Sequence, residues 1–205
     1  MEMFFDYDFL EEGFQMKMNR TGKRKSLFLI GMLFLGLSLV AGSTLAFAKS
    51  AKEIDISVDV TLEQFAQEIK GGKEFLRSAR GVLVFPSVIK AGFGIGGEYG
   101  EGALRIGGKT VDYYSTAAAS IGFQIGAQSK RVLLVFMQKN ALKQFRESSG
   151  WEAGVDGSVA LIELGTGGSI DTTNIKDPIV GFVFGNKGLM YNLTLEGSKF
   201  TKMKK

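Results

Sequence analysis

Residues 81–108 read GVLVFPSVIKAGFGIGGEYGEGALRIGG, an apolar run that passes into a segment where nearly every second residue is glycine. Glycine loses the most conformational entropy in a strand and packs nothing, so this density needs a reason. Between positions 92 and 102 the glycines stand at 92, 94, 96, 97, 100 and 102. Mostly two apart, they share one face of a strand, with Phe93 and Ile95 on the other. A face without side chains admits another backbone or a ligand, and Gly92, Gly94, Gly96 and Gly97 are the expected points of close approach. Gly92, Gly94 and Gly97 also satisfy G-x-G-x-x-G, but a dinucleotide loop must follow a strand and open a helix. The continuation EYGEGALRIGGKTVDYY has no helical period, which rejects a nucleotide site.

Working outward, the N-terminal side carries helical signals. Positions 49–60 alternate (Ile54, Ile56, Val58, Val60) and predict an edge strand or an extended lead. Thr61 with Gln64 three residues on has capping-box spacing, and Leu62, Phe65, Ala66 and Ile69 form an apolar stripe before Gly71-Gly72 stops the helix. KEFLRSA at 73–79 predicts a second short helix with Phe75, Leu76 and Ala79 inward. On the C-terminal side the signals are those of strands. Val82–Phe85 ends at Pro86, Phe93–Tyr99 and Ala103–Ile106 follow, and Gly107-Gly108 turns the chain into Thr110–Tyr114. Ser120–Gly126 comes next, then Arg131–Met137, whose VLLVF run fits a strand buried on both faces. Asn140 is the expected cap of the helix ALKQFRES, with Leu142 and Phe145 inward. Trp151–Val155, Ser158–Leu164, Ile179–Phe184 and Leu189–Leu195 complete the set, with turns at Gly167-Gly168 and Asn186–Gly188; KFTKMKK closes the chain as a solvated tail. The fold class is mainly β (α+β): an antiparallel β-sandwich or barrel of about nine short strands with two or three short helices at its edge.

The chain has no histidine and no cysteine. That removes Ser-His-Asp and Cys-His nucleophiles, thiolate chemistry and the usual zinc, copper and haem ligands, so no catalytic residue, metal or cofactor is expected. Gly102 and Gly107-Gly108-Lys109-Thr110 miss a phosphate-binding loop at Ala103, and Ala118-Ala119-Ser120-Ile121-Gly122 misses a nucleophile elbow at its first position. Glu98, Glu101 and Asp112, the carboxylates of the glycine-rich region, are the remaining candidates for an acid–base pair. Glu98 and Glu101 read as outward, solubilising residues; Asp112 with Tyr113 and Tyr114 reads as a polar mouth on an apolar cavity or as cross-strand tyrosine packing.

Residues 1–15, acidic and aromatic, read as a non-native extension, and 16–48 as a signal peptide or N-terminal membrane segment. Arg20, Lys23, Arg24 and Lys25 precede the apolar run Leu27–Val40 and the small residues ending Ala46-Phe47-Ala48, an A-x-A site with cleavage after Ala48. An uncleaved inner-membrane anchor is the alternative, since the uncharged run 26–48 is long enough to span a bilayer. From Lys49 onward, 20 Lys and Arg stand against 16 Asp and Glu, a mild excess suited to resting on an anionic surface.

The blocks GVLVFPSVIKAGFGIGGEYGEG, GKTVDYYSTAAASIGFQIGAQ at 108–128, VLLVF at 132–136 and GLMYNLTLEGS at 188–198 resemble the SYLF, or Ysc84, lipid-binding family from about Leu62 to the C-terminus. The resemblance implies a domain, here 49–205, that associates with anionic lipids, in a bacterial exported member. The family links lipid binding to basic and amphipathic features on the N-terminal side; here these are Lys70, Lys73, Arg77 and Arg80, interleaved with Glu68 and Glu74. Candidate headgroup contacts at strand ends and turns are Lys90, Arg105, Lys109, Lys130 and Arg131, with Tyr113 and Tyr114. The expected function is a non-enzymatic, exported, lipid-associating domain at an envelope membrane, periplasmic or secreted. The alternative is an envelope protein-interaction module with no lipid ligand; no nucleic-acid partner is expected.

Overall fold

The structure is a computed structural model that describes residues 49–163, 176–187, 195 and 197–205. The expected extension, signal segment, Gly167-Gly168 turn and almost all of the strand at 189–195 lie outside the described residues. The expected mainly β class holds. Helix α1 (Ala51–Glu68) and helix α2 (Gly72–Ser78) precede two long strands, β1 (Gly81–Ile106) and β2 (Lys109–Phe136). Helix α3 (Lys139–Glu147), β3 (Trp151–Glu152), β4 (Ala160–Glu163), β5 (Ile179–Lys187) and β6 (Lys199–Met203) follow. Among the described residues six strands join one mixed sheet in the order β3-β6-β2-β5-β4, with β1 also on β2; β4 and β5 run parallel and the other pairs antiparallel.

The lead at 49–60 is helix, not strand, and the N-cap is Ser50, not Thr61. Ser50 Oγ accepts from the Glu53 amide at 3.3 Å while Glu53 Oε2 accepts from the Ser50 amide at 2.7 Å, a complete capping box. Ile54, Val58, Thr61 and Phe65, at i, i+4, i+7 and i+11, form the buried stripe. Ile56 and Val60 lie on the other side, 55% and 49% exposed. Two interleaved helical rows thus imitate strand alternation. Thr61 sits mid-helix and donates its hydroxyl to the Ser57 carbonyl at 2.8 Å.

β1 and β2 pair along almost their whole lengths, so the short strands expected between 82 and 136 are segments of two bent ones. Pro86 does not end a strand; it falls at the register shift between Phe85 and Val88, where the ladder needs no amide from it. The turn is as expected: Gly107 and Gly108 take φ of 57° and 79°, both left-handed, as a two-residue type I′ hairpin demands. The hairpin folds back on itself at the glycine-rich segment. Gly92 turns so tightly that a Cβ on it would overlap the Gly96 Cα. Past this bend Gly100 and Gly102 pack against the first limb of the same strand, where added Cβ atoms would strike the Ser87 and Val84 carbonyl oxygens.

Alternation along the hairpin builds a core on each face. On the inner side Leu83, Phe85, Leu104, Val132, Leu134 and Phe136 meet Leu142 and Phe145 of α3, Trp151 and Phe200. On the other, Val82, Val84, Leu133, Val135, Val180 and Phe182 meet Ile54, Val58 and Phe65 of α1 and Phe75 of α2. VLLVF is therefore buried on both faces, as its composition implied. Each fully buried side chain of this size is worth about 1.5–3 kcal/mol, and the helices stay on the sheet for that reason. Asn140 is not a cap, because α3 starts at Lys139 with Gln138 as N-cap and no side-chain bond there. The closing KFTKMKK is not a free tail: Lys199–Met203 is β6, between β2 and β3, with Phe200 buried beside Phe85, Phe145 and Trp151.

Candidate functional site

Helix α3 has two faces because its apolar residues stand three apart. Leu142 and Phe145 face the core, and the Phe145 ring lies 4.9 Å from Phe136, 5.0 Å from Tyr114 and 5.5 Å from Trp151. Each such aromatic pair adds about 0.5–1.5 kcal/mol beyond area burial, which fixes the helix in place. Lys139, Lys143 and Arg146 occupy the remaining side at i, i+4 and i+7. Arg80, from the link between α2 and β1, joins them; its amide donates to the Phe136 carbonyl at 2.8 Å and pins that link to the end of β2. These residues, with Ile106, Leu142 and Glu147, line a pocket of about 470 Å³.

The pocket has an apolar floor and a cationic rim, four basic residues against Glu147. Lys143 reaches Glu147 at 3.9 Å, a weak exposed pair, and Arg146 Nε donates to Asp112 Oδ2 at 3.2 Å. Among the described residues Arg80 and Lys139 have no carboxylate within 4.0 Å. Of these groups only Arg80 was singled out in the sequence as basic. The signal for the rest was present in α3, a KxxxKxxR row opposite its apolar residues.

The candidate residues read from the sequence do not gather at this pocket. Lys90 and Lys130 come together inside the folded hairpin, 4% and 1% exposed, 3.3 Å and 2.7 Å from the two oxygens of Glu98. Glu98 is therefore not outward. Arg105 binds the Asp59 carboxylate at 2.7 Å and the Asp55 carbonyl at 3.2 Å, fastening α1 to β1. Tyr113 donates to Asp55 Oδ2 at 2.9 Å, and both burial and that bond push its hydroxyl above the usual tyrosine range. Tyr114 faces the opposite core, 2% exposed, its hydroxyl without a partner among the described residues. Burial, helped by Asp112, pushes it up to about 12. The two tyrosines thus do not line one mouth. Lys109 is exposed at the hairpin tip, and Arg131 lies 5.7 Å over the Phe184 ring.

Glu101 is not a solubilising residue either. Its Oε2 accepts from the Lys49 amide and from Lys205 Nζ, both at 3.2 Å, and its Oε1 from the Tyr99 hydroxyl at 2.9 Å. Of the expected close-approach glycines, Gly92 lies so near Gly96 that an added Cβ would overlap the Gly96 Cα. Gly97 does not: a Cβ there would find its nearest neighbour at 3.8 Å, an ordinary contact. Gly94 is outside the described side chains.

A curled sheet with two buried cores and a basic, apolar-floored pocket fits a binding module. Residues 117–205 match the model of the Ysc84 family, described as Las17-binding protein actin regulator. Over that span the chain is similar to the Ysc84 family, which its glycine-rich blocks also resemble. No curated protein matches the chain.

Proposed function

We propose that this chain is an exported, non-enzymatic domain that binds anionic phospholipid at an envelope membrane surface, through the pocket between Arg80 and α3. The observation that carries this reading is the unpaired rim: Arg80 and Lys139 stand exposed above Ile106 and Leu142 with no described carboxylate to neutralise them. A phosphate headgroup would take the cations, and the adjoining glycerol and acyl carbons the floor. Cations near an anionic surface contribute about 1 kcal/mol each, so reversing both Arg80 and Lys139 to glutamate lowers partition onto anionic vesicles by on the order of 10-fold or more. Co-sedimentation of the chain from Lys49 with phosphatidylglycerol and phosphatidylcholine vesicles, at two salt concentrations, tests this. Binding that ignores both the reversals and the salt, or that is absent from every vesicle, rejects the reading.

A second reading, a protein-docking module, is favoured by a different surface. Ile89, Ile95 and Tyr99 are 55%, 74% and 53% exposed on β1, and the family description names a protein partner. Vesicle binding abolished by Ile95→Asp but untouched by the Arg80 and Lys139 reversals would move the contact from the pocket to β1.

A further inference from the structure

The pair of lysines inside the folded hairpin poses a charge problem that the pocket does not share. Val88 faces Lys130 across the β1–β2 ladder and Lys90 faces Gln128, which puts Lys90, Gln128 and Lys130 on the inner side with Val88. Glu98 enters from beyond the bend and touches both ammoniums. The side chains of Lys90, Lys130 and Glu98 are 5%, 0% and 8% exposed. Two cations thus share one carboxylate out of water. No acidic residue occurs in 91–97 or 117–131 to provide a second one.

Hydrogen bonding shows the same deficit. The Lys130 contact at 2.7 Å is an ion pair whose alignment falls short of a hydrogen bond, and among the described residues the buried Lys130 Nζ and Gln128 Nε2 have no aligned hydrogen-bond acceptor. Both orphaned atoms are donors. An uncompensated buried charge costs several kcal/mol, and buried donors cost more when unmet, so what this chamber lacks is negative charge with lone pairs.

We infer that the chamber formed by Lys90, Glu98, Gln128 and Lys130 binds a small inorganic monoanion, of which chloride is the probe. The anion completes a neutral set of two ammoniums and two negative charges and accepts from Lys130 and Gln128. Because these side chains lie where the two limbs of the hairpin converge, occupancy ties the limbs together, and anion binding appears as stability of the fold.

The test compares melting temperatures of the purified protein in sodium chloride and in sodium gluconate at equal ionic strength, gluconate being a bulky organic anion that serves as the ionic-strength control. Chloride raises the melting temperature by on the order of a few degrees and saturates, while gluconate leaves it flat. Lys130→Met, which leaves one ammonium facing one carboxylate, removes the chloride response. Glu98→Gln, which leaves two cations, strengthens it. Should either variant fail to fold, chloride-35 line broadening on the wild-type protein, reversed by bromide, supplies the same information. Identical melting in the two salts with no line broadening overturns the inference, as does a chloride response that survives Lys130→Met.

Discussion

Gly102 lies so close to Val84 that a Cβ on the glycine would overlap the valine carbonyl oxygen and press on the Phe85 ring. This contact joins the two limbs of one strand, and it divides the glycines of the segment into those that permit the fold and those that do not. Gly102→Ala must push the limbs apart, and overpacking of this kind costs about 1–3 kcal/mol. Gly97→Ala makes only an ordinary contact, 3.8 Å from the Ala118 carbonyl oxygen, and gains backbone rigidity, worth roughly 0.5–1 kcal/mol in a strand. Urea denaturation of the two variants should shift the midpoint in opposite directions. Equal shifts would show that the limbs do not meet at Gly102.

Tyr114 is held neutral by its burial, with a hydroxyl pushed up to about 12 against an unfolded value of 10.0. A group whose folded value is raised stabilises the fold fully below the unfolded value, and that contribution is lost as pH rises between about 10 and 12. Tyr114→Phe removes an orphaned hydroxyl and its titration together. Near neutral pH the variant should be as stable as the parent or up to about 1 kcal/mol more so. Its melting temperature should also fall less steeply above pH 10, and a parallel decline in both proteins would contradict this.

Cleavage after Ala48, read from the A-x-A signal, would turn the Lys49 amide into an α-ammonium 3.2 Å from Glu101 Oε2. A charged donor on a carboxylate is about twice as strong as a neutral one. Protein beginning at Lys49 should therefore melt higher than protein retaining Phe47-Ala48, and Glu101→Gln should erase the difference. If the two forms melt together with Glu101 intact, the carboxylate does not recognise a free N-terminus.

Much of the sheet was legible because strand composition and turn chemistry act locally. VLLVF declared burial on both faces, and Gly107-Gly108 fixed a hairpin whose backbone needs two left-handed residues. The segment at 49–60 was misread because β-branched residues at 54, 56, 58 and 60 satisfy period two as well as two helical rows, and only Ser50 with Glu53 distinguished them. The length of β1 and β2 was hidden by Pro86 and the glycines, which act within strands as bends and bulges. The site was least legible. Lys90 and Lys130 look like surface cations until the bend carries Glu98 between them, and Arg80 meets α3 only through the packing of Phe145.

Lys205 Nζ donates to the Lys49 carbonyl at 2.6 Å while both hold Glu101, so the first and last residues of the domain are neighbours. A circular permutant with Lys205 joined to Lys49 by a short Gly/Ser linker, and opened between Gly107 and Gly108, should keep the β1–β2 pairing because the turn is exposed and a Cβ on either glycine would meet nothing within 4 Å. It would also convert the pairing of β1 with β2, now local, into contact between opposite ends of the polypeptide. Folding should slow with the larger contact order while the equilibrium structure, read by amide NMR shifts, stays the same.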